Sequence, residues 1–155
     1  MTKTELVQLA STGRMMPDAP IIATRSAEID ASLGTVWKIL TDVSQWSRWH
    51  PYLTNAVLAG PFVAGSQLTY GGFFKHHLEI AKVIDQELAM LCGTMAGYKG
   101  ITRWDISHTG NGKTRVVFSE CSSGFLIGTL YSNEKLGNHL QAWLNALKQE
   151  AERSV

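Results

Sequence analysis

The chain has 155 residues, 45% of them hydrophobic, and a formal net charge of +1. That length suits one domain with a sizeable core, and a near-neutral charge without a lysine or arginine cluster argues against nucleic acid or an anionic membrane as partner. No apolar run approaches the ~20 residues that span a bilayer, and the first twenty residues lack the apolar centre of a signal peptide, so a cytoplasmic location without stable membrane insertion is expected.

Residues 1–21 read as an N-terminal extension. Thr4–Ala10 has room for one or two helical turns, with Leu6 and Leu9 or Ala10 on one side, and Gly13–Pro20 favours turns and extended chain. The segment is expected either as a loose arm or as one packed over the domain, or onto a second subunit, through Met15 and Met16. Ile22–Asp30 alternates as a strand. Ser32 is an N-cap for a helix whose apolar face is Leu33, Val36, Trp37 and Leu40. Asp42 or Ser44 caps a second short helix over Gln45–Trp49, which Pro51 ends by pushing His50 out of the helical region.

From Asn55 to Gly124 the pattern is strand and turn. The expected strands are Asn55–Ala59, Ser66–Tyr70, His76–Asp85, Leu88–Ala96, Gly100–His108 and Thr114–Ser122. The breaks between them are short and carry Gly, Pro, Asp and Asn, so neighbours are antiparallel. With the first strand, this makes a seven-stranded meander. If His108 pairs with Thr114, then Trp104 pairs with Phe118, Ile106 with Val116 and Thr102 with Glu120, and all share one face. That face is mostly apolar and should point inward. In Leu88–Gly93 the inner set is either Leu88, Met90 and Cys92 or Ala89, Leu91 and Gly93. Cys92 and Cys121 lie two strands apart, roughly 9–10 Å, beyond the ~7 Å limit of a disulfide, so both are expected as free thiols.

Leu126–Arg153 reads as one long helix, with Leu126, Leu130, Leu140, Leu144, Leu147 and Ala151 on a single stripe. Asn133 and Gly137 interrupt that stripe, where a core-facing helix normally carries bulk. The interruption is either a void available to a ligand or a close approach of the helix to the sheet.

The run EIDASLGTVWKILTDVSQWSRWHPY and the later GNGKTRVVFSECSSGFL resemble the opening and penultimate signatures of the START-like, or SRPBCC, superfamily, which includes the birch-pollen-allergen-like proteins. The nearest branch is the bacterial polyketide cyclase/dehydrase-like group, and the resemblance covers residues 22–152. It implies an α+β helix-grip fold over residues 22–155. In that fold a curved seven-stranded antiparallel sheet wraps a long C-terminal helix, two short helices lie between strands 1 and 2, and the interior is a cavity. The fold is specific, whereas the function is not, because one scaffold hosts carriers, receptors and enzymes.

Within that frame Glu120 is the sharpest chemical candidate: it shares an apolar face, so burial would raise its pKa and suit it to general acid/base work. His50, at the cavity mouth, and Tyr131 are further acid/base candidates. Trp46, Trp49, Tyr70 and Trp104 are expected ligand walls, joined by Ile106, Phe118, Glu120, Asn133 and Gly137. Trp37 is expected in the core, and at least one of Phe73 and Phe74 exposed near an entrance. His76 and His77 are adjacent and point to opposite faces of a strand. No metal site is expected, because the histidines lack paired spacing, and no motif implies a cofactor.

The reading that follows is binding of a hydrophobic small molecule (a lipid, isoprenoid or polyketide-like compound) by a monomer or homodimer. One alternative is a polyketide cyclase or dehydratase-type enzyme using a single acid/base residue. Another is a chaperone-associated or dimeric interaction module, which would need a large exposed apolar patch.

Overall fold

The structure, a computed structural model, describes residues 1–155 apart from Pro51, Ala96 and Leu126 and the side chain of Leu130. The proline expected to end the second short helix, the last residue of the expected Leu88–Ala96 strand and the two leucines opening the final stripe therefore lie outside the described residues. In chain order the elements are α1 (Lys3–Ser11), β1 (Ile21–Ile29), α2 (Leu33–Thr41), a 3-10 turn (Val43–Gln45), α3 (Trp46–Trp49), β2 (Val57–Ala59), β3 (Gln67–Tyr70), β4 (His76–Ile84), β5 (Leu88–Met95), β6 (Tyr98–Gly110), β7 (Lys113–Gly124), α4 (Ile127–Leu130) and α5 (Asn133–Arg153).

The seven strands form one antiparallel sheet in the order β1-β7-β6-β5-β4-β3-β2. The β6–β7 register is the one expected from alternation: Thr102 opposes Glu120, Trp104 opposes Phe118, Ile106 opposes Val116 and His108 opposes Thr114. Register shifts between Ile80 and Lys82 and between His108 and Gly110 add local twist to the sheet. On the inner side Ile29, Val36, Leu40, Trp46, Ala89, Leu91, Trp104, Val116, Phe118, Trp143, Leu144 and Leu147 form the main core. The open question at β5 is thereby settled: Ala89 and Leu91 face inward.

Leu88, Met90 and Cys92 face the other way. They pack with Ala81, Ile101 and Cys121 against Leu6, Ala10 and Met16. The N-terminal segment is thus a helix laid across the convex side of the sheet. Thr2 caps it reciprocally with Glu5, which satisfies two otherwise unpaired backbone donors. Both cysteines are buried and free in this layer, each opposite Ile101 on the intervening strand.

The expected single helix from Leu126 to Arg153 is two pieces. Tyr131 closes α4 with a backbone bond to Ile127. Ser132 is extended, and its Oγ accepts the Lys135 N–H at 3.1 Å, so a side-chain cap starts a new helix where the stripe implied continuity. The second short helix also begins later than expected. Val43–Gln45 is 3-10, and only Trp46–Trp49 is α-helical.

Leu6 is fully buried in the convex layer. Leu6→Ala should lower unfolding free energy by about 2–5 kcal/mol, read from urea denaturation of the full chain. A value indistinguishable from the unsubstituted protein would show that α1 does not pack on the sheet.

Candidate functional site

Trp104 on β6, Phe118 on β7 and Trp143 on α5 meet as a stacked and tilted cluster: ring centroids lie 5.6 Å apart for Trp104–Phe118, 4.5 Å for Phe118–Trp143 and 5.1 Å for Trp104–Trp143. Trp46 closes it edge-on to Trp104 and Trp143, and its indole N–H donates to the Leu40 carbonyl at 3.1 Å. Phe62 stacks on Trp104 from the β2–β3 loop. Rings this bulky separate helix from sheet without filling the whole interval. Beside them is a cavity of about 50 Å³ lined by Trp46, Leu53, Tyr70, Leu78, Leu91, Thr102, Trp104, Glu120, His139, Leu140 and Trp143. Its enclosed part holds a few waters' worth of space, far below the ~300 Å³ at the small end of drug-sized sites.

Glu120 is the one carboxylate in that lining. Its two oxygens accept from the Tyr98 hydroxyl at 3.2 Å and the Thr102 hydroxyl at 3.1 Å. The Tyr98 hydroxyl also lies 3.0 Å from the Ser122 Oγ. Gly100 makes this possible, because a Cβ there would fall 2.5 Å from the Tyr98 hydroxyl oxygen. Burial raises the Glu120 pKa, and the two hydroxyl donors oppose the rise. The tyrosine hydroxyls are raised too, by burial first and by the Glu120 charge second, at Tyr70, Tyr98 and Tyr131.

The opening is flanked by rings. Tyr70 stacks on His76 at 4.7 Å, and the exposed Tyr52 lies against His139 at 6.3 Å. Partial removal from water holds His139 and His76 below the usual imidazole value, with His76 and His77 respectively adding to the effect. His50 lies deeper, with 1% of its surface exposed, in contact with Trp49, Tyr52 and Trp143. Its Nδ1 accepts the Tyr52 N–H at 3.2 Å, so the neutral ring carries its hydrogen on Nε2, which has no hydrogen-bond partner among the described residues. Burial, reinforced by His139, lowers its pKa to about 4.

The other expected site residues fall elsewhere. Ile106 and Phe118 are on the inner face but are core, with Phe118 sealed under Trp104 and Trp143. Trp49 is packed beside the core, against His50 and Trp143, and lines a separate surface cleft with Thr35, Lys38, Arg48 and Glu150. Asn133 and Gly137 do not line the cavity. The Asn133 Oδ1 accepts the Ile22 N–H at 2.9 Å and so pairs an edge-strand amide. The space left by Gly137 is taken by the Arg25 guanidinium, whose Nη1 also donates to the Thr24 carbonyl. The interruption in the stripe is thus occupied by an arginine side chain from β1. Tyr131 is half-buried at the α4–α5 break, packed with Ile21, Ala23, Leu136 and Leu140. Trp37 is core, as expected, edge-on to Phe62. Phe73 and Phe74 are both exposed on the β3–β4 loop.

Residues of the site that carried no notice in the sequence include Trp143, Phe62, His139, Leu53, Leu78 and Tyr98. Trp143 had a signal, since it stands three residues after Leu140 and four before Leu147 on the buried face of α5. Among the described residues no group of histidine, cysteine and carboxylate side chains is arranged to hold a metal ion. Among the described residues no helix is long and apolar enough to cross a membrane either.

A family model described as polyketide cyclase / dehydrase and lipid transport matches residues 20–152, and the chain belongs to that family. Solved structures agree on the fold. A hypothetical protein from Helicobacter pylori superimposes with a TM-score of 0.75 at 17% identity, covering 90% of this chain and 93% of that one. A START superfamily protein from Mycobacterium smegmatis gives 0.74 at 15% identity, covering 86% and 99%. Norcoclaurine synthase from Thalictrum flavum gives 0.64 at 14% identity, covering 83% and 84%. No curated protein matches by sequence. The helix-grip architecture expected from the order of elements is therefore the fold of this chain, and it is a ligand-binding fold.

Two outcomes follow from the buried titratable groups. His50, neutral in the folded protein down to about pH 4 and free to protonate near 6.5 when unfolded, should cost stability as pH falls from 6.5 towards 4. Its ring C–H NMR signal should titrate near 4, and a midpoint near 6.5 would place the ring in water. Glu120 has the opposite sign. A carboxyl with a raised folded pKa favours folding at low pH and loses that contribution as pH rises through the raised value. Glu120→Gln should therefore gain thermal stability over the unsubstituted protein at pH 8 and none at pH 4. An equal or lower melting temperature at pH 8 would mean the carboxylate is well solvated.

Proposed function

We propose that the protein binds a small hydrophobic molecule, of the lipid, isoprenoid or polyketide-like kind, at the cleft between the sheet and α5. The observation that carries this reading is the cavity itself: apolar and aromatic walls from β5, β6 and α5, an opening flanked by Tyr70 and His139, and a few polar groups at Glu120 and Thr102. Apolar burial supplies the affinity at ~25 cal/mol per Å² before the costs of association, and the polar groups orient the ligand. The small enclosed volume means that only part of a ligand enters unless the opening widens. The family description supports this reading.

A second reading, proton transfer in a cyclase or dehydratase-type reaction, is favoured by Glu120. Its carboxyl, with a raised pKa and two hydroxyl donors, stands against a cavity where a carbonyl-bearing chain would lie. A carboxyl whose pKa is raised is a better proton acceptor than an ordinary one, while His50 is too acidic an imidazolium for that task.

Titration with a fatty acid, an isoprenoid alcohol and a fused-ring phenol, followed by the tryptophan indole N–H signals in NMR, tests the binding reading. At least one compound should move the Trp104 and Trp143 signals saturably with one-to-one stoichiometry. Leu78→Trp, which adds bulk to a half-buried lining position, should weaken that binding about tenfold with the fold retained. Absence of a saturable shift with all three classes would remove the cleft as a binding site.

A further inference from the structure

Glu120 is a carboxylate without a counter-ion. Its partners are neutral hydroxyls, and among the described residues no lysine or arginine pairs with it. On the same face of the sheet, the guanidinium closest to it in the strand register is that of Arg25, two residues along β1 from Ala23, which opposes Glu120. That group is taken up in the space at Gly137. Elsewhere the molecule pairs its buried charge: Glu150 is as hidden as the core and is held by both Arg48 and Arg153. Glu120 is half-buried, and a carboxylate drawn even partly out of water is destabilised unless a cation answers it.

What surrounds Glu120 is suited to a cation. Trp46, Tyr70, Trp104 and Trp143 contribute to the same small cavity. Aromatic faces attract ammonium groups, most strongly where water is excluded. The lining holds no competing positive side chain, and partial removal from water keeps His139 below its ordinary imidazole value. The cavity volume of about 50 Å³ fits a charged head group and is too small for a whole fused-ring molecule, whose body would have to lie outside it, towards Tyr70, Tyr52 and His139.

We infer that the ligand is an organic amine, bound as its ammonium ion between the aromatic walls and Glu120, with an apolar body in the mouth of the cleft. This rests on the reading of the cleft as a binding site and narrows it to one chemical class. The ammonium N–H groups would donate to the Glu120 oxygens alongside Tyr98 and Thr102, and the pair would be desolvated together.

The test compares 2-phenylethylammonium with its neutral isostere 2-phenylethanol, using the indole N–H signals as readout. The ammonium should bind about tenfold tighter. Glu120→Gln should abolish that preference, bringing the two affinities within about twofold of each other. Spectral dispersion of the same signals reports that the variant is folded. Equal affinity for the two probes would overturn the amine inference and leave the cleft standing as a site for neutral apolar ligands. If neither probe binds, the amine inference falls, and the titrations with lipid, isoprenoid and phenol decide separately whether the cleft binds anything. The comparison in the unsubstituted protein is decisive even if the variant does not fold.

Discussion

The distance between α5 and the sheet is set by Trp143 resting on Trp104 and Phe118. Smaller side chains would let the helix settle onto the strands and close the interior. Three large rings in offset and tilted contact do not collapse further, so the space next to them persists as a cavity. Trp46 braces the same cluster and is tied to α2 through the Leu40 carbonyl. Core packing and site geometry are therefore one construction, and a change to the cluster would alter both.

The polar side of the site depends on the same arrangement. Glu120 is inward because strand alternation puts it on the face of Phe118 and Thr102. It is uncompensated because Arg25, the nearby cation on β1, is drawn to the space at Gly137. The carboxyl is consequently destabilised in its charged form and available to a proton or a cationic ligand. The convex layer plays a different part. There α1 covers an apolar face formed by Met90, Cys92, Ile101 and Cys121, and so fixes the sheet from behind without touching the cavity. The family match begins at residue 20, which leaves this helix outside the matched residues.

The fold was legible because its signals are local. Short Gly- and Asn-containing turns and period-two alternation determine the β6–β7 register to the residue, and capping residues locate α2. The parity of β5 was not legible for a physical reason: with α1 on one side and the core on the other, Leu88–Cys92 is apolar on both faces, and alternation carries no information there. The site was harder. A helical stripe tells which face is buried and says nothing of what crosses it, so Gly137 read equally as a void or as a close approach to the sheet, and the guanidinium that fills the space was not foreseen. Ile106 and Phe118 lie on the expected face, yet their depth depends on where Trp143 lands, a contact between residues far apart in the chain. Glu120 was legible because an acid among alternating apolar residues is a local anomaly.

The claim on which the site depends is that Glu120 is a half-buried carboxyl without a cation. Carbon-13 NMR of its side-chain carboxyl through a pH titration of the free protein measures this directly. The account predicts a midpoint above the ordinary value of 4.5. A midpoint at or below 4.5 would mean that water or a positive group already stabilises the charge, and would contradict it.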